Sequence, residues 1–144
     1  MIKIVCVGKI KEKYLRDAIS DYMKRLSKYH KVSIIELEDS NIDDEAIKIL
    51  KNIDNKDYVI TLEIEGKEIS STDLAEKIDR LFLTTSNICF VIGGSNGISN
   101  TVKERSDYKL SFSKLTFPHQ LFRLILLEQI YRSFKILNNE TYHK

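Results

Sequence analysis

The sequence predicts an α/β domain built on a mostly parallel β-sheet with helices on both faces. Five apolar runs of strand length alternate with segments whose apolar residues recur at three- and four-residue steps. Two of those runs, Ile2 to Val7 and Ile88 to Ile92, are nearly continuous Val, Ile, Cys and Phe, as strands buried on both faces should be. No repeat and no Gly/Ser/Pro-rich linker divides the chain, so the alternation belongs to a single domain spanning residues 1–144.

In chain order, Ile2 to Val7 ends at Gly8, and a helix follows with Tyr14, Leu15, Ala18, Ile19, Tyr22 and Leu26 on its apolar face. Val32 to Leu37 is the second strand. Ile42, Ala46, Ile49 and Leu50 mark a shorter helix, capped by Asn41, with Asp43, Asp44 and Glu45 in the first turn, where negative charge is favoured. Tyr58 to Ile64 is the third strand, and Ser71 or Thr72 caps the helix carrying Leu74, Ala75, Ile78, Leu81 and Phe82. Ile88 to Ile92 leads to a short helix from Ser99 to about Arg105, then to a fifth strand, Tyr108 to Phe112. Pro118, the only proline, opens the last helix, where a missing N–H costs nothing.

That last helix departs from the amphipathic pattern. Leu121, Phe122, Leu124, Ile125, Leu126, Leu127, Ile130, Tyr131, Phe134, Ile136 and Leu137 cover nearly every face. A terminal helix of a small chain cannot bury all of these alone, which predicts a homodimer.

Composition narrows the function. The chain is 42% hydrophobic and 31% charged, with two cysteines, too few for a disulfide framework. Cys6 and Cys89 lie inside apolar runs and are expected to be inert core thiols, which fits a reducing cytoplasm. The apolar N-terminal stretch is shorter than a signal-peptide core with its flanks, and no run reaches the ~20 apolar residues of a membrane span. A net charge of +2 excludes an extended basic arm but not a local basic patch. Lys9, Lys11, Lys13, Arg16, Lys24, Arg25, Lys28 and Lys31 gather early, whereas Glu36 to Asp44 is largely acidic. That polarity suits a solvated helix beside an acidic loop, and equally a surface facing RNA phosphates. His30, His119 and His143 are far apart and the cysteines are not spaced as ligands, so no metal site is expected.

Three segments can carry chemistry. Phe90-Val91-Ile92-Gly93-Gly94-Ser95-Asn96-Gly97-Ile98 is a buried strand running into glycines before a helix, either a tight turn or a close approach of backbone to ligand. It is neither a dinucleotide fingerprint nor a Walker A loop. Leu110 to Gln120, LSFSKLTFPHQ, is a strand followed by a hydroxyl-bearing loop that can offer backbone groups and apolar walls to a flat heterocycle; His119 there is a packed or capping residue or a catalyst. Glu128 and Arg132 stand four apart on the most apolar helix, as a plain ion pair or as working groups, and Tyr142, His143 and Lys144 end the chain.

Taken in this order, I-G-G-S-N-G, L-S-F-S-K-L-T-F-P-H-Q and E-Q-I-Y-R with a terminal Y-H-K resemble the RlmH family over essentially the full length. Members of this family are small SPOUT, or α/β-knot, methyltransferases. The resemblance implies a deep trefoil knot in the C-terminal part of the sheet and S-adenosyl-L-methionine as cofactor. It implies a cofactor site of Leu62, Gly93, Phe112, Ser113, Lys114, Leu115, Thr116 and Phe117, to which Gly94 and Gly97 add geometric support. Active-site positions implied are His119, Glu128, Arg132, Tyr142 and His143, with the C-terminal tail of one subunit completing the site of the other. The implied reaction is methylation of N3 of a pseudouridine in helix 69 of 23S ribosomal RNA, on assembled 70S ribosomes. Thr141 stands where many relatives carry Pro, which leaves the tail freer. Two other readings of the sequence are a catalytically silent RNA-binding dimer and a same-fold methyltransferase acting on another RNA.

Overall fold

Strand β1 (Ile2–Val7) is buried at all six positions, which is why its sequence shows no polar alternation. Its one polar side chain, Lys3, is buried beside Asp57 at 2.5 Å. The computed structural model describes residues 1–144 and continues with α1 (Lys13–Leu26), β2 (Val32–Leu37), α2 (Ile42–Lys51), β3 (Tyr58–Glu68) and α3 (Ser71–Leu81). Then follow β4 (Ile88–Ile92), α4 (Asn100–Arg105), β5 (Tyr108–Ser111) and α5 (His119–Leu137). No helix is long and apolar enough to cross a membrane.

All five strands are parallel, in the order β2-β1-β4-β3-β5. Ile4 is paired with Ile34 on one side and Phe90 on the other, and Phe90 with Ile60, so the most continuous apolar runs occupy the middle of the sheet. Side-chain alternation sorts the core into two layers. On one face Ile2, Ile4, Cys6, Ile60, Phe90 and Leu110 pack with α1, α3 and α5 in a cluster of 17 buried residues. On the other, Val5, Val7, Val59, Cys89 and Val91 meet Ala46 and Ile49 of α2 and Val102 of α4 in a cluster of only 8.

The structure corrects several boundaries. Strand β3 runs to Glu68 rather than Ile64, because the chain bulges between Leu62 and Lys67 and then pairs again with β5 through Lys67 and Glu68. Helix α3 is capped by Ser70, not by Ser71 or Thr72: Ser70 Oγ accepts from the Asp73 N–H at 3.0 Å and Asp73 accepts from the Ser70 N–H, and only Ser70 has an acid three residues on. Asn41 caps α2 as expected, accepting from the Asp44 N–H at 2.9 Å. Tyr14, counted with the apolar face of α1, is 69% exposed. The early basic residues are partly spent locally, Lys13 on Asp17, Arg25 on Asp21 and Arg16 on loop carbonyls.

Both cysteines are free and buried, and burial pushes each thiol up to about 12. Helix α5 inserts Leu126, Leu127, Ile130, Tyr131 and Phe134 into the larger layer. Leu121 stays 37% exposed and Leu124 and Ile125 half-buried, so a second apolar stripe of the helix is incompletely covered within one chain.

Candidate active site

The carboxyl ends of parallel strands are where α/β sheets hold ligands, and here the chain builds a cavity at that edge. β4 ends at Ile92, and the Gly97 N–H closes a turn onto the Gly94 carbonyl at 3.0 Å. Glycine is required twice. Gly97 has φ +77°, and a Cβ on Gly93 would lie 2.6 Å from the Gly97 oxygen. Asn96 Nδ2 donates to the Ser40 carbonyl at 3.3 Å, tying this turn to the loop after β2.

The loop after β5 forms the facing wall. Ser111 Oγ donates to the Ser113 carbonyl and the Leu115 N–H donates to Ser113 Oγ at 2.9 Å, which fixes the loop with its own hydroxyls. Phe112 and Phe117 pack against Phe122 of α5, with ring centroids 5.0 and 5.9 Å away. Between these walls and the end of β3 lies a cavity of about 390 Å³. Leu62, Gly93, Gly94 and Gly97 line it, as do Phe112, Ser113, Leu115, Thr116, Phe117 and His119. Lys114, in the same loop, is exposed and is not among the lining residues.

Several lining or neighbouring groups were not anticipated from sequence. Glu63, with a side chain 7% exposed, accepts from Thr61 Oγ1 at 2.6 Å and faces Lys103 Nζ at 3.6 Å. Glu65 and Ile98 also reach the cavity. Asp39 lies behind the glycine turn, its Oδ1 3.4 Å from where a Cβ on Gly94 would stand. His119 is seated against Gly8, whose φ of +96° and missing side chain leave room for Nε2. One turn further along α5, the fully buried Arg123 donates to the Gly8 carbonyl at 2.9 Å and pairs with Glu36 at 2.5 Å. Arg123 thereby clamps the start of α5 to the ends of β1 and β2.

The other four predicted active-site residues form a second cluster near the far end of α5. Arg132 donates through Nε to Glu128 Oε1 at 2.8 Å, and its Nη1 lies 3.0 Å from His143 Nδ1. Its guanidinium lies over the Tyr142 ring at 4.9 Å. Donating to the Glu128 carboxylate holds Arg132 more firmly protonated than usual. Tyr142 packs edge-on to Tyr131 and approaches the Tyr22 hydroxyl at 3.5 Å; burial, then that contact, pushes its phenol up to about 12. One chain therefore brings Glu128, Arg132, Tyr142 and His143 together, but not with His119.

A parallel α/β sheet with a loop-walled pocket at its carboxyl edge is an architecture that binds small ligands. Residues 1–143 match the family described as "Predicted SPOUT methyltransferase", and the chain belongs to that family. A ribosomal RNA large subunit methyltransferase H of Finegoldia magna is 54% identical, with 99% of each chain covered. Another of that name, from Clostridium botulinum, is 52% identical at the same coverage. Among solved structures, the tRNA (m1G37) methyltransferase of Aquifex aeolicus matches with a TM-score of 0.57, covering 91% of this chain and 69% of that one. At 14% identity that likeness concerns the fold.

Proposed function

We propose that this protein transfers a methyl group from S-adenosyl-L-methionine to N3 of a pseudouridine in 23S ribosomal RNA, within helix 69 of assembled ribosomes. One observation carries the reading: the glycine turn after β4 and the Phe112–Phe117 loop converge with Leu62 on a single cavity at the sheet's carboxyl edge. Its volume of about 390 Å³ and its mix of aromatic walls with backbone polar groups suit an adenosine-bearing ligand. The relatives named for large-subunit ribosomal RNA support the substrate class. The knotted course of the chain around this cavity belongs to the same proposal.

The cofactor, when bound, supplies an electrophilic methyl group on a sulfonium. The chain must hold it, exclude water and align the nucleophile. Leu62, Gly93 and the 112–117 loop hold it, with Phe112 and Phe117 closing the apolar side. N3 of a pseudouridine is an imide nitrogen protonated at neutral pH; it gives up that proton to water or by relay through Glu128, which leaves charge on the flanking carbonyl oxygens. Arg132, permanently charged and oriented by Glu128, stabilises that charge together with His143. These groups come from a second copy of the chain. A homodimer covers the half-exposed stripe of α5 and brings the tail of one subunit to the cavity of the other.

The test is methyl transfer from labelled cofactor to 70S ribosomes lacking the modification, with free subunits and naked RNA alongside, and mapping of the labelled nucleotide. Label on one pseudouridine of the large-subunit RNA is the expected result. Cofactor binding without transfer indicates another RNA, and RNA binding independent of cofactor indicates a silent RNA-binding dimer.

A further inference from the structure

The charges around the cavity do not balance. Glu63 is offset by Lys103 at 3.6 Å. Glu65 lines the same cavity from β3 and has neither an ion-pair nor a hydrogen-bond partner. Behind the glycine turn, outside the lining itself, the exposed Asp39 has its Oδ1 3.4 Å from where a Cβ on Gly94 would stand, again with no such partner. His119 is the only other ionisable lining group. One uncompensated carboxylate thus lines the pocket and a second stands behind its glycine turn.

Resting on the cofactor reading above, we infer that Glu65 and Asp39 make this pocket discriminate by charge, holding the cationic sulfonium cofactor in preference to the neutral thioether left after transfer. The two ligands share their adenosine and amino-acid parts and differ by one methyl group and one unit of positive charge at sulfur. When N3 attacks, the C–S bond breaks, its electron pair stays on sulfur and the charge is lost. The attraction of both carboxylates for the occupant weakens at that moment. Holding a positive ground state does not speed the chemical step, because that charge is already dispersing in the transition state. The benefit lies in exchange of spent for fresh cofactor.

A unit charge at roughly 6–8 Å across a water-like dielectric changes affinity by about two- to threefold at low salt, and less as salt rises. Isothermal titration of the full-length protein at pH 8 with S-adenosylmethionine, S-adenosylhomocysteine and an analogue bearing an amine in place of the sulfonium tests this. In wild type, both cationic ligands should bind more tightly than the thioether. Glu65→Gln and Asp39→Asn should each lower the thioether-to-sulfonium Kd ratio about two- to threefold, and the double variant about four- to ninefold, with thioether affinity nearly constant. Glu76→Gln, on an exposed face of α3 where it pairs with Arg80, controls for overall charge and should leave the ratio unchanged.

An unchanged ratio in the double variant overturns the inference, as does equal loss of affinity for cationic and neutral ligands, which would mark a contact to their shared parts. Failure of wild type to bind any of the three overturns the cofactor reading and this inference with it.

Discussion

His119 and Arg132 lie on one helix, His119 at its start against Gly8 and Arg132 about 20 Å further along its axis at roughly 1.5 Å per residue. A straight helix holds that separation fixed, so the proposed catalytic groups meet only if two chains contribute. Mixing an inactive His119→Ala chain with an inactive Arg132→Ala chain should therefore restore activity. Random pairing makes half the dimers mixed, with one intact site of two, giving about a quarter of wild-type turnover. No recovery in an assay on ribosomes would sink the shared site.

Removing Thr141 to Lys144 takes away His143 and Tyr142 from Arg132 but leaves the cavity walls intact. Turnover should be abolished while the cofactor Kd stays within about twofold of wild type. Retained turnover would remove the tail from the mechanism.

Gly93→Ala forces a carbon to within 2.6 Å of the Gly97 oxygen, backbone that cannot swing aside. A loss of about 1–3 kcal/mol in urea unfolding and loss of cofactor binding are expected. Gly97→Ala has open space for its methyl and meets only the penalty of φ +77°, about 1–2 kcal/mol. A Gly97→Ala protein less stable than Gly93→Ala would contradict this account.

Arg123→Ala removes the donor to the Gly8 carbonyl and the partner of Glu36. Breaking so buried a pair costs about 3–5 kcal/mol, although the loss here is moderated because Glu36 is 38% exposed and can be solvated. Chemical denaturation gives the stability loss directly. A cost below about 1 kcal/mol would mean that the clamp is dispensable.

Alkaline pH should destabilise the fold through its thiols. Both are pushed up to about 12 by burial, whereas in the unfolded chain they ionise near 8.5. A raised folded value means that the native state keeps protons the unfolded state releases. Stability is then full below about pH 8.5 and falls as pH rises toward 12. Urea midpoints from pH 8 to 10.5 should drop less steeply for the Cys6→Ala, Cys89→Ala double variant than for wild type.

Strand positions were largely legible because double burial removes polar residues, and the two most continuous runs became the central pair β1 and β4. The exposed extension of β3 was hidden, since Glu65 to Glu68 carries charge where a buried strand would not and pairs only by way of a bulge. The glycine turn and the 112–117 loop were legible as contiguous motifs. Asp39, Glu65 and Arg123 were not: they come from three separate elements that only the fold brings near the cavity. Tyr14 misled because helical spacing records the side of a helix, not whether anything covers its end.

The unequal layers of the core carry one more consequence. The lesser face is closed only by the ten-residue α2 and the six-residue α4, and so small a lid lifts at lower cost than the packed trio of α1, α3 and α5. Cys89 lies under that lid and Cys6 under the trio. The chain thus carries a built-in pair of probes, one per face: a sulfhydryl-trapping time course should capture Cys89 first, timing the partial breathing of one side against global opening of the other.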